Sequence, residues 1–89
     1  MLVLYHIAPA SVFPKHTHPH VQMGTFLEGG GRFVVGDESW TMIPGSSYYV
    51  PSGVPHELTT DPNITSVIID VFHPERDDFL SEAVRPDRD

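Results

Sequence analysis

Three of the six histidines in this chain of 89 residues fall within five positions, in Lys15-His16-Thr17-His18-Pro19-His20. On an extended strand, residues i and i+2 share a face, so His16 and His18 can point at one centre. A neutral imidazole nitrogen coordinates a borderline divalent ion without losing a proton at pH 7. The same spacing also suits a solvated polar strand. An affinity tag would be terminal and uninterrupted, and this cluster is neither. His20 has the right parity, but Pro19 turns the chain there, which suits a supporting role better than coordination. His6 and His73 read as ordinary strand or surface histidines. A second group able to do chemistry lies in Asp70-Val71-Phe72-His73-Pro74-Glu75-Arg76. Asp70 and Phe72 share a strand face, and a carboxylate on an inward face can act as a general acid or base. Arg76 offers a planar fork for a carboxylate. The plain structural alternatives are an Asp70–Arg76 ion pair and a Phe72 that belongs to the core.

Seven glycines and nine prolines cut the chain into short runs rich in Val, Ile, Thr, Tyr and Phe. That pattern predicts an all-β sandwich or barrel, with strands over about 2–8, 11–16, 21–28, 31–36, 38–43, 46–50, 55–60 and 64–73. Gly29-Gly30-Gly31, Gly36-Asp37, Pro44-Gly45 and Pro51-Ser52-Gly53 supply the turns between them. From Ile64 to His73 both alternating sets are largely apolar, so the outer side of this strand needs a cover, from a partner subunit or from the C-terminal segment. A short helical turn is expected over 77–84, with a frayed end after Pro86.

Length leaves room for a single domain, residues 1–89, with one core. With no cysteine, disulfides and thiolate sites are excluded, and a metal or a second subunit is the expected reinforcement. A formal charge of -7 is the wrong sign for a nucleic-acid binder. Met1 to Ile7 is too short to span a membrane and lacks the flanks of a signal peptide. A cytoplasmic protein without nucleic-acid or membrane partners is expected.

The two chemical clusters sit inside a longer pattern that resembles the cupin superfamily. Its first motif is Gly, five residues, His-x-His, three or four residues, Glu, six residues, Gly. His16, His18, Gln22 and Gly29 fall at those spacings, with Gln for Glu and Ala10 for the leading Gly. The second motif is Gly, five residues, Pro-x-Gly, two residues, His, three residues, Asn. Gly45, Pro51, Gly53 and His56 match it, with Thr60 for Asn. The resemblance implies a cupin-type double-stranded β-helix, or jelly-roll barrel, in which His16, His18, Gln22 and His56 bind one divalent transition metal ion. Imidazole and amide donors admit manganese, iron, nickel, copper or zinc. Gln22 is either a ligand or a residue behind the ligands. Such a ligand set carries no charge, so the metal would favour an anionic substrate.

Within that superfamily, His16-Thr17-His18-Pro19-His20-Val21-Gln22, Phe26-Leu27-Glu28-Gly29 and the Asp70 to Leu80 segment look like the pectin-degradation, KdgF-type cupins. Members convert 4,5-unsaturated uronates into linear keto-deoxyuronates. The likeness implies catalytic roles for Asp70, Phe72 and Arg76. Other readings are a metal-dependent cupin dioxygenase on another small substrate, or a non-enzymatic module that binds a small anion. Only Met1 to Pro9 precede the first motif, where relatives usually carry one or two more strands. A more open barrel, or one completed by another subunit, is therefore expected, with a homodimer that places Met1 to Ile7 at its interface.

Overall fold

A computed structural model describes residues 1–73; Arg76 and the helical turn expected over 77–84 lie outside the described residues. Eight strands form, and every expected run becomes one: β1 (Leu2–Ile7), β2 (Val12–His16), β3 (Val21–Glu28), β4 (Gly31–Val35), β5 (Glu38–Met42), β6 (Ser47–Val50), β7 (His56–Thr60) and β8 (Ser66–His73). β8 starts two residues later than expected. The Asp61 carboxylate accepts the backbone N–H groups of Asn63 (2.8 Å) and Ile64 (3.2 Å), and this local turn holds Ile64 out of the ladder.

The strands make two four-stranded antiparallel sheets, ordered β1-β8-β3-β6 and β2-β7-β4-β5. Their facing sides enclose Ile7, Phe26, Phe33, Met42, Val50 and Ile68, the core of the fold. Full burial of a side chain such as Phe26 contributes roughly 1.5–3 kcal/mol. Alternation along β8 sends Ser66, Ile68, Asp70 and Phe72 inward, all buried, and leaves Val67, Ile69, Val71 and His73 on the outside. The two apolar sets of this strand therefore differ in fate: one is core, and the other is only half covered or exposed.

Strand β2 breaks simple alternation. Phe13 pairs with Leu58 and His16 pairs with His56, so three residues on β2 span two on β7. The extra residue is a β-bulge at Pro14-Lys15. It brings Phe13 and His16, which plain parity would put on opposite faces, to the same inner side. Pro14 is tolerated there because β2 is an edge strand and needs no donor on its outer side.

Candidate metal centre and active-site cavity

His16 ends β2, His18 lies two residues further in the connection to β3, Gln22 is the second residue of β3, and His56 opens β7. Two motifs far apart in sequence thus meet between the sheets. One ring nitrogen from each of His16, His18 and His56 lies within 4.8 Å of the others, a grouping able to hold a metal ion. The His16 and His56 rings are 4.2 Å apart at their centroids, and those of His18 and His56 are 4.8 Å apart.

The chemistry of the donor set fits a cation. Nδ1 of His16 lies 2.8 Å from the Pro14 carbonyl, Nδ1 of His18 lies 3.0 Å from that of His20, and Nδ1 of His56 lies 2.9 Å from that of Val54. A carbonyl can only accept, so in each case Nδ1 carries the proton. In the neutral ring Nε2 then presents its lone pair. Ligand histidines are typically oriented by such a bond from the other ring nitrogen. The bond from His18 goes to the backbone carbonyl of His20, not to its ring.

Gln22 stands beside this group. Its Oε1 lies 3.1 Å from His18 Nε2, and its Nε2 donates to Asp70 Oδ2 at 2.9 Å. The amide therefore turns its oxygen to the histidines and its N–H to a carboxylate. Two acceptors, the Gln22 oxygen and the His18 lone pair, face one space, which is what a shared cation requires. The donors themselves are neutral, as the sequence implies, but a carboxylate stands directly behind the amide.

Asp70 and Phe72 both point inward from β8. Asp70 is 3% exposed, and it accepts a hydrogen bond from the Tyr48 hydroxyl as well as from Gln22. Phe72 is buried with its ring 6.1 Å from that of His18. Arg76 lies outside the described residues, so the Asp70–Arg76 pairing does too. Tyr48 was not among the residues singled out in the sequence. A tyrosine on a short strand reads as ordinary β propensity, and its partner is 22 residues away. Burial, and then the charge and hydrogen bond of Asp70, push the Tyr48 hydroxyl far above its ordinary value, so it stays protonated and donates.

These groups line a cavity of about 360 Å³ between the sheets. His16, His56, Gln22, Asp70 and Tyr48 give it a polar region, and Phe13, Phe33, Leu58, Ile68 and Phe72 give it an apolar wall. Concave apolar sites with a few converging polar groups are the usual form of small-molecule pockets.

Two hydrogen-bonded sheets enclosing a histidine cluster of this kind define a small β-barrel with a candidate metal centre. The cupin domain family model matches residues 3–72, and the chain belongs to the cupin family. An RmlC-like cupin from Shewanella frigidimarina superposes with a TM-score of 0.83 at 28% identity, over 90% of this chain and 70% of that one. KdgF from Halomonas sp. superposes with a TM-score of 0.82 at 29% identity, over 90% and 73% of the two chains. A recombinant oxalate oxidase shares the fold alone, at 18% identity with a TM-score of 0.71 over 80% of this chain and 40% of that one. No curated protein matches in sequence. Among the described residues no helix is long and apolar enough to cross a membrane.

Proposed function

We propose that this protein is a metal-dependent isomerase that opens a 4,5-unsaturated uronate to its linear keto form. The observation that carries the reading is the buried Asp70 carboxylate, which lines the same cavity as the histidine centre and is bonded to it through Gln22. The likeness to KdgF in sequence and in structure supports it.

His16, His18 and His56, with the oxygen of Gln22, would hold the divalent ion. When bound, the metal supplies a fixed positive charge that attracts the anionic sugar and stabilises charge on a substrate oxygen. Arg76 is assigned the other hold on the substrate carboxylate, through its bidentate fork. Phe72 and the apolar wall pack against the ring and exclude water.

The reaction breaks the bond between the anomeric carbon and the ring oxygen. The anomeric hydroxyl loses its proton and becomes an aldehyde, and the ring oxygen becomes an enol hydroxyl. A proton then moves from that hydroxyl to C4, giving the ketone with no net redox change. Asp70 accepts a hydrogen bond at each oxygen, so it rests as a carboxylate and begins as the base. It takes the anomeric proton and passes it to the ring oxygen, then takes the enol proton and delivers it to C4.

The test is the far-ultraviolet absorbance of the unsaturated ring, which conversion to the ketone abolishes. Metal-loaded protein that leaves this absorbance unchanged would remove the assignment. Oxygen consumption on another substrate would point to a dioxygenase instead, and anion binding without turnover to a binding module.

We propose further that two copies pair through the outer face of the β1-β8-β3-β6 sheet. Leu2, Leu4, Met23, Tyr49 and Val71 are exposed on that side. Register places Leu2 and Met23 beside Val71, and Leu4 beside Ile69. The outward positions of these strands include His6 and His73, and Glu28, opposite Val67 at the end of β3, is the one Asp, Glu, Lys or Arg among them. In a chain of charge -7, two such faces bring together largely apolar surface, with Glu28 at the end of its strand the one acid on each.

A further inference from the structure

We propose that Tyr48 is a positioning residue for this site, acting through Asp70 to fix which end of the Gln22 amide faces the metal centre. The inference rests on the reading of Asp70 and the histidines given above, and it adds a residue that this reading does not use.

The geometry begins with one row of the β8-β3-β6 sheet. Gly24 pairs with Asp70 on one side and with Tyr48 on the other. Residues directly opposite share a face, so all three project into the barrel. Any side chain on the central strand would separate the outer two. A Cβ on Gly24 would overlap Asp70 Oδ1 and crowd the Tyr48 hydroxyl. Glycine at this point is thus a matter of space, and through that space the Tyr48 hydroxyl donates to Asp70 Oδ1.

This bond leaves Oδ2 of Asp70 for the next row, where Gln22 stands opposite Phe72 and Val50. Gln22 Nε2 donates to that oxygen at 2.9 Å. An amide whose nitrogen is engaged has one orientation left, and its oxygen lies 3.1 Å from His18 Nε2. Without Tyr48, Asp70 can rotate, and the amide loses the bond that fixes it. A flipped Gln22 would present N–H to the centre, which cannot bind a cation and would instead donate to the His18 lone pair. The Phe26 and Phe33 rings, with centroids 6.0 and 4.5 Å from that of Tyr48, hold its ring in place from the core side.

Tyr48→Phe removes the hydroxyl and keeps the ring. The measurement is the visible spectrum of the full chain loaded with Co²⁺, compared for wild type, Tyr48→Phe and Gln22→Ala, together with steady-state kinetics on an unsaturated uronate. The expected result is a Tyr48→Phe spectrum shifted from wild type in the direction of Gln22→Ala. Co²⁺ affinity and kcat should each fall about 10–100-fold, the range for residues that orient ligands, while KM stays within about twofold. Gly24→Ala, which wedges the same pair apart, should shift the spectrum likewise. A purely structural tyrosine would lower the melting temperature and leave the spectrum alone. A Tyr48→Phe spectrum identical to wild type overturns the proposal, and so does a Gln22→Ala spectrum identical to wild type. If wild type does not turn over the uronate but the spectra shift as stated, the isomerase assignment fails and the positioning role stands.

Discussion

The backbone N–H of Gly53 donates to the carbonyl of His18 at 2.9 Å, and the neighbouring Ser52 hydroxyl donates to the Pro19 carbonyl at 2.6 Å. The turn that delivers His56 is thereby tied to the connection that carries His18. Gly53 holds φ at +76°, a conformation other residues adopt at a cost of roughly 1–2 kcal/mol. The second motif thus does more than contribute His56, since its turn is tied to the segment that carries the first motif's second histidine.

Metal should depend on all three histidines. Ring nitrogens of His16, His18 and His56 are expected about 2.0–2.3 Å from one bound ion, with the Gln22 oxygen close by. His18→Ala or His56→Ala should cost most of the bound metal, read by elemental analysis of purified protein. An equal metal content in these variants and wild type would contradict the site, as would no metal at all after supplementation.

Catalysis should depend on the proton carried by Asp70. Asp70→Asn keeps the shape and can still accept from Tyr48, but it cannot take up a proton. Turnover should fall by roughly 10²–10⁴ even where excess metal keeps the site loaded. Normal turnover would return Asp70 to a structural role in the Tyr48–Gln22 chain.

Stability should rise on Ala10→Gly. Ala10 sits at φ +56°, in the left-handed region, where the first motif has its leading glycine. Relief of that strain, less the larger chain entropy of unfolded glycine, should add about 0.5–1 kcal/mol. The melting temperature should rise by a few degrees. An unchanged or lower value would mean that the turn, which Ala10 closes by donating to the Asp61 carbonyl at 2.8 Å, does not require this conformation.

Assembly is tested by light scattering at micromolar concentration. A mass near twice 9.9 kDa is expected, and Leu4→Glu or Val71→Glu should halve it by placing charge on the shared face. A wild-type monomer would remove the dimer.

Turn chemistry made the strands legible: glycine and proline clusters bound each one. Side-chain alternation put Asp70 and Phe72 on one face of β8, but with both faces largely apolar it did not say which was inner; burial shows it is theirs. The histidines were legible through the i, i+2 spacing of His16 and His18 and through the second motif around His56. Thr60, a departure from that motif, is buried and still works as a polar cap. It accepts from the Ser11 N–H at 2.8 Å and donates to the Ala8 carbonyl at 3.1 Å. Tyr48 was not legible, because its role arises from a row across three strands and from the absence of a side chain at Gly24. Neither fact has a local signature. The β2 bulge was hidden for a similar reason, since it exists only as a mismatch with the register of β7.

That bulge gives β2 a tolerance of length around the first histidine that residue identity does not reveal. Lys15 is exposed, and its side chain can change with little consequence for the fold. Its presence as a counted residue can change as well. Deleting it would leave Phe13 and His16 two residues apart, opposite Leu58 and His56, so plain alternation would keep the imidazole of His16 on the inner side. Over these positions the protein should accept substitutions and the loss of one residue, where the same loss from a regular strand would turn every later side chain to the other face.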